Sequence, residues 1–211
     1  MSPVSVASVT ESETLAPLGV EAMTSRQLVR RAKLVETVIA LLNEGNSQTL
    51  QMREVAERSG VALGTVYRYF GSKEHLLAVA LTEWQEKLTR RVVSADRTQD
   101  QESLDAVRSY LRRAARAFHR SPGMAGLMVQ IYTSNDPYAA EVVDRMGATN
   151  AALMERLLAS VPPEDRRFVS FALDSSLTNA ITSMTAGRLS LDEVIDALDG
   201  VARLLVGPHE S

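Results

Sequence analysis

The side chains best suited to act on another molecule crowd into one stretch, QMREVAERSGVALGTVYRYFGSK, from Gln51 to Lys73. Gln51, Arg53, Thr65, Tyr67, Arg68 and Lys73 supply hydrogen-bond donors there, and Thr49 just upstream adds a hydroxyl. Donors of these types hold phosphate oxygens, and a guanidinium also reads a guanine edge through two bonds. Catalytic chemistry has much thinner support. The three histidines, His75, His119 and His209, have no nucleophile beside them. The chain carries neither a Gly-x-Ser-x-Gly elbow nor a His-Glu-x-x-His zinc motif. It has no cysteine, which removes thiol catalysis, disulfides, iron–sulfur clusters and Cys-liganded zinc. No enzyme activity, cofactor or metal is therefore expected.

Donors reach DNA only from a scaffold that fits a groove. The spacing predicts a short helix from about Gln51 to Ser59, a tight turn at Gly60 and a second short helix from about Leu63 to Tyr69. That is the layout of a helix-turn-helix, whose second helix enters the major groove. With Val66 at the centre of the buried face, a 100° wheel places Ala62, Leu63, Tyr69 and Phe70 within about 60° of it. Gly64 and Arg68 point away, and Thr65 and Tyr67 lie on the flanks. A bare Gly64 lets the helix approach the bases closely. Leu63 is either buried or reads a base methyl, and Tyr69 is retained as a candidate contact despite its place on the wheel. Lys73 sits with the free N–H groups behind Ser72, where a helix start favours an anion.

Elsewhere the pattern is helical throughout. The 211 residues are 45 % hydrophobic but only 5 % aromatic, and an Ala- and Leu-rich mixture favours helices. The expected fold class is all-α with about nine helices. The first helix would bury Leu28, Ala32, Val35, Ile39 and Leu42 and end at Gly45-Asn46-Ser47. A long fourth helix from Lys73 past Arg90 would place Leu77, Ala80, Leu81, Trp84 and Leu88 on one face. Pro122, Pro137 and the Pro162-Pro163 pair mark later helix starts, and Ser190 to Glu193 forms a capping box. The expected organisation is a flexible arm at 1–23, a DNA-binding head at 24–72, a connecting helix at 73–95 and a body at 96–211. Residues 24–95 carry 11 Lys/Arg against 7 Glu, whereas 96–211 carry 12 Arg against 16 Asp/Glu. Only the basic section suits a polyanion. No apolar run reaches the ~18 residues of a membrane span, and no signal peptide opens the chain. A cytoplasmic protein without membrane contact is expected.

The segment VAERSGVALGTVYRYFGSKEHLL, Val55 to Leu77, resembles the TetR family of transcriptional repressors. The matching elements are Val55-Ala56, Gly60-Val61, the run Gly64-Thr65-Val66-Tyr67-Arg68-Tyr69-Phe70, and Lys73-Glu74-His75-Leu76. The family often has a polar residue where this chain has Leu63. The resemblance implies a homodimer that holds a double-stranded, palindromic DNA operator and releases it when a small molecule binds the body. Gln51 to Ala56, Leu63-Gly64-Thr65 and the ending Ala202 to Gly207 look more narrowly like the repressors of sterol and lipid catabolism in that family. That implies a lipophilic effector, sterol-derived or an acyl-CoA.

The body offers material for both roles. Trp84, Leu88, Phe118, Met124, Leu127, Met128, Ile131, Tyr132, Met154 and Phe168 are candidates for an adaptable apolar pocket. Arg108, Arg112, Arg113, Arg116 and Arg120 recur along the fifth helix. They are a solvated face or, in a sharper reading, receive a carboxylate or a CoA phosphate. Leu177, Ile181 and Met184, with Leu198, Ala202 and Leu205, are the expected dimer seam, two helices from each subunit forming a four-helix bundle. The competing reading is a helical adaptor, which would hold no specific DNA at ~0.1–0.2 M salt.

Overall fold

The computed structural model describes residues 16–44, 50–95 and 103–207. These residues form nine α-helices and no strand. The first unit comprises α1 (Ser25–Asn43), α2 (Met52–Ser59) and α3 (Leu63–Tyr69). Thr24 and Gln27 close a capping box at the start of α1. Gly60 ends α2 with φ +68°, a left-handed conformation that a side chain resists. Val35, Val38, Val55, Val66 and Phe70 are fully buried together in this unit.

The long α4 (Lys73–Ala95) leaves the unit, its first turn capped by Ser72 Oγ, which accepts the His75 N–H at 2.9 Å. It runs first along α1 and then along α6 and α7. The remaining helices are α5 (Ser103–Arg120), α6 (Pro122–Tyr132), α7 (Pro137–Leu157), α8 (Pro163–Thr185) and α9 (Leu191–Val206). Proline opens α6, α7 and α8 at the position where an N–H has no partner. Asp136 caps α7 through the Ala139 N–H at 2.8 Å, and Ser190 and Glu193 form the expected capping box on α9. α5 and α8 both pack on α9. No helix among the described residues is long and apolar enough to cross a membrane.

Two local expectations are corrected. In α1 the buried positions are Leu34, Val35, Val38, Leu41 and Leu42, while Leu28 and Ala32 are exposed. The first half of the predicted stripe was one step out of phase, because Leu34 and Leu41 define a second apolar row that packing selects. The arm expected at 1–23 is packed over its described portion. The Leu18 N–H donates to the Arg68 carbonyl at 2.9 Å, Met23 is buried, and Pro17 lies against Gly71. Thr49, the Gly45-Asn46-Ser47 stop and residues 96–102 of the expected connector lie outside the described residues.

The first three helices meet the rest of the chain at two tight contacts. Gly71, after α3, faces the Tyr138 ring of α7, and an added Cβ would come within 2.8 Å of it. Gly123, in the first turn of α6, sits directly on the Leu42 backbone of α1, and a Cβ there would collide with the Leu42 carbonyl oxygen.

Candidate nucleic-acid interface and effector cavity

On α3 the outward face carries Gly64, Tyr67 and Arg68. Tyr67 is 47 % exposed, Arg68 is exposed, and a Cβ on Gly64 would meet nothing within 4 Å. Thr65 is half-buried at the flank. Gln51, Arg53, Leu63, Tyr67 and Lys73 line one shallow concavity beside this face. Five of the expected contact residues are thus brought together from α2, α3 and the start of α4. Leu63 is half-buried at that surface and packs on the core. Glu54 and Glu57 share the concavity and were not anticipated. They would repel a phosphate there and so restrict where a backbone passes.

Tyr69 is a correction. It is 1 % exposed, and its hydroxyl has no hydrogen-bond partner. Val66, Tyr69 and Phe70 all turn inward, as the wheel implied, and a phenol there cannot reach a groove. Ala62, placed on the buried face by the same wheel, is exposed because it precedes the helix as its N-cap. His75 is not a surface residue either. It packs edge-on to Phe70 and stacks on Tyr138, with centroids 5.6 and 5.7 Å away. Burial, and then the nearby Arg31 charge, lower its pKa.

The body encloses a cavity of about 570 Å³ between α4, α5, α6, α7 and α8, within the usual size of a small-molecule site. Of the expected pocket residues, Leu88, Phe118, Met128 and Tyr132 line it. Trp84 stands one layer behind, its ring 4.9 Å from that of Phe118. Met124, Leu127, Ile131 and Met154 are instead core residues packed between helices. Phe168 is 59 % exposed and lies under Arg167 on the outside of α8. Hydrophobic type alone does not separate a cavity wall from solid core, because both need the same side chains.

The polar part of the wall was barely legible from residue order. Gln85, Tyr110, Asn150, Asp174 and Thr178 all face the cavity. The Tyr110 hydroxyl sits 3.5 Å from Asn150 Oδ1. Burial raises the Tyr110 and Tyr132 phenols, with the Asp174 charge adding to the effect. Burial raises the Asp174 carboxyl to about 6. Asp174, directly after the apolar Phe171-Ala172-Leu173 on α8, was the available clue.

The arginine row on α5 lies away from the cavity. Tyr110, Ala114 and Phe118 face inward, and Arg108, Arg112 and Arg116 are two positions off, about 200° around the helix. Arg112 forms a two-pronged salt bridge with Asp199 of α9. This row is a tie between helices and a solvated face, and none of it reaches a guest in the cavity.

The expected dimer seam is also corrected. Leu177, Ile181, Leu198 and Ala202 are buried within the single chain, and Leu177 and Ile181 line the cavity. Met184 and Leu205 are half-buried. The outward faces of α8 and α9 carry Phe168 at 59 % exposure and Leu204 at 65 %, while Phe171, 74 % exposed, stands at the rim of the cavity and lines it.

The comparisons with known proteins agree with this geometry. The family model for bacterial regulatory proteins of the tetR family matches residues 34–80, and that for the tetracyclin repressor-like C-terminal domain matches residues 100–205. The HTH-type transcriptional repressor KstR of Rhodococcus jostii is 34 % identical over 199 residues, which span 91 % of this chain and 90 % of that protein. KstR of Mycolicibacterium smegmatis is 33 % identical over 213 residues, 97 % of each. A TetR transcriptional regulator from Rhodococcus sp. RHA1 has a TM-score of 0.71 at 29 % identity, covering 86 % of this chain and 97 % of that one. FadR of Bacillus subtilis, solved in complex with stearoyl-CoA, has a TM-score of 0.65 at 15 % identity, covering 84 % and 99 %; at that identity the likeness is one of fold. The chain belongs to the TetR family of bacterial regulatory proteins and is a transcriptional repressor, not an enzyme.

Proposed function

We propose that the protein is a homodimeric repressor of the cytoplasm that holds a palindromic operator and releases it when a lipophilic effector fills the cavity beside α4. The observation that carries this reading is the path of one helix. α4 starts at Lys73, within the DNA-facing concavity, and its later residues Gln85, Leu88 and Thr89 line the cavity. A guest that favours one position of α4 therefore biases the position of α3. A ligand moves such an equilibrium only through different affinities for its two states.

Arg68, Tyr67 and Lys73 are the principal phosphate or base contacts in this reading, Gly64 allows close approach, and Gln51 and Arg53 fix register. In this reading the second copy docks through the outer faces of α8 and α9, with Phe168 and Leu204 as anchors in place of the seam first expected. A dimer doubles the contacts and sets half-sites ~34–36 Å apart or a multiple of that. The apolar wall and the resemblance to KstR support a lipid effector, sterol-derived or acyl-CoA. FadR, with its stearoyl-CoA, shows that this fold accommodates an acyl-CoA.

The test is fluorescence anisotropy on the DNA upstream of the protein's own gene, with salt varied and sterols and acyl-CoAs added. The expected result is sequence-dependent binding that persists at ~0.15 M salt and is released by one compound class. Sequence-dependent binding that no lipid releases removes the effector assignment and keeps the repressor. A monomer that binds DNA as tightly as the reading requires would remove the dimer.

A further inference from the structure

The cavity beside α4 is apolar over much of its wall and holds one formal charge. Among the described residues no Lys, Arg or His lines it, and the one carboxylate is Asp174. Asp174 takes part in no salt bridge among the described residues. Burial is the sole cause of its raised pKa of about 6, so near neutral pH it is mostly ionised with no counter-charge. The phenols of Tyr110 and Tyr132 line the same space and are close enough to feel that charge. The Tyr110 hydroxyl makes only a long 3.5 Å bond to Asn150 Oδ1, and Tyr132 pairs with Gln85, so the cluster offers one strong acceptor and two phenols that a guest hydroxyl can engage by exchanging with these internal bonds.

These groups restrict the guest. A carboxylate inside the cavity would find no cation and would face a second carboxylate, where burial makes like charges costly. A ketone only accepts; it satisfies a phenol but leaves Asp174 bare. A hydroxyl donates and accepts at once. Asp174 is half-buried, and a guest that covers it without pairing takes away its remaining water and gives nothing back, so the site discriminates against such a guest.

We propose that Asp174 is the specificity-determining residue of the cavity and selects an uncharged lipophile bearing a hydroxyl group, which donates to Asp174 and accepts from Tyr110 or Tyr132. The free carboxylate of the same skeleton is excluded. In a CoA ester the charged nucleotide stays outside, and the hydroxyl sits on the inserted chain. This inference rests on the reading of the cavity as the effector site.

The test uses the full chain and matched guests on two skeletons, a sterol and a linear sixteen-carbon chain, each as alcohol, ketone and carboxylate. Binding is read from the fluorescence of Trp84, the only tryptophan, which packs on the cavity-lining Phe118. On the skeleton that binds, the alcohol is expected to bind at least about tenfold tighter than the ketone and the carboxylate. Asp174→Asn, whose amide both donates and accepts, is expected to bring the ketone within about threefold of the alcohol. The wild-type ratios decide the matter even if the variant folds poorly. A carboxylate or ketone that binds wild type as tightly as the alcohol, or ratios unchanged in a folded Asp174→Asn, overturns this inference and leaves the lipid-effector reading standing. Failure of every guest to bind or to release operator DNA overturns both.

Discussion

Trp84 of α4 and Phe118 of α5 meet with ring centroids 4.9 Å apart and planes inclined by 56°. Phe118 lines the cavity and Trp84 does not, so on the proposed reading the pair is the link through which a displaced wall would act on the helix that leaves the DNA-facing unit. Trp84→Ala removes the pair and leaves the wall. The effector concentration needed to release operator is expected to rise at least about fivefold, about 1 kcal/mol of coupling, with operator affinity changed less than about twofold. Anisotropy with and without effector measures both. An unaltered effector response would show that α4 is driven elsewhere.

Tyr69 and Arg68, adjacent on α3, have opposite expected behaviour. Tyr69→Phe deletes a buried hydroxyl that has no partner, so stability should stay level or rise by up to about 1 kcal/mol, and operator affinity should not change. Arg68→Ala deletes an exposed donor and should weaken operator binding by about tenfold or more. If Arg68 holds a phosphate, the salt dependence becomes shallower by about one; if it reads a base, discrimination at one position relaxes. Titrations at several salt concentrations separate these outcomes, and a large binding defect in Tyr69→Phe would contradict the buried assignment.

Asp174 makes stability depend on pH in a defined direction. Its carboxyl titrates at about 6 in the folded chain, raised from 3.8 by burial. Between those values the folded state retains a proton that the unfolded chain has lost, so stability falls as pH rises through the window, and the full cost is present above it. Asp174→Asn should therefore raise the melting temperature at pH 7.5 and have little effect at pH 3.5. The gain at pH 7.5 should be about 1–2 kcal/mol, below the full linkage value because solvent reaches the carboxylate. Equal shifts at both pH values would show that the cost is not one of ionisation.

Gly123 should tolerate no side chain. Its neighbour is the Leu42 backbone, which has no rotamer to yield. Gly123→Ala is expected to destabilise the chain by about 2 kcal/mol or more, whereas Gly147→Ala, with open space around its Cβ position, should be neutral or slightly stabilising because alanine favours a helix. Denaturant melts of the two variants give the comparison.

Charging the outer face should separate the subunits. Phe168→Glu with Leu204→Glu places carboxylates on the two exposed apolar anchors and leaves the cavity-lining Phe171, Leu177 and Ile181 intact. The chain should stay folded by circular dichroism, sediment as a monomer and lose at least about a hundredfold in operator affinity through lost avidity. A double variant that remains dimeric would place the interface on another face.

Helix starts were legible because they depend on local chemistry. Thr24, Ser72, Asp136 and Ser190 cap the helices they precede, and the turn at Gly60 needs a left-handed residue. The exposed side of α3 was equally legible, since a seven-residue helix with one buried valine at its centre has little freedom of phase. What failed was the choice between faces that are all apolar. In α1 two rows competed, and in α8 and α9 the richest stripes, Leu177-Ile181 and Leu198-Ala202, went to the chain's own core. The apolar side chains that remain on the outside of these helices, Phe168 and Leu204, are sparser. The cavity wall was obscured for a related reason. Tyr110, Asn150 and Asp174 come from three different helices, and no spacing along the chain brings them together.

The contact of Gly123 with Leu42 gives α6 a second role. This helix is about 16 Å long, seated at one end on the backbone of α1 and presenting Met128 and Tyr132 to the cavity at the other. A stiff rod seated in this way behaves as a crank. On the proposed reading, a guest that presses on its far end would turn the DNA-facing unit about the Gly123 contact as well as act through α4. Two levers that reach the same three helices from different sides define a rotation axis, so release of the operator should be a twist of the reading helices within the groove as much as a change in their spacing.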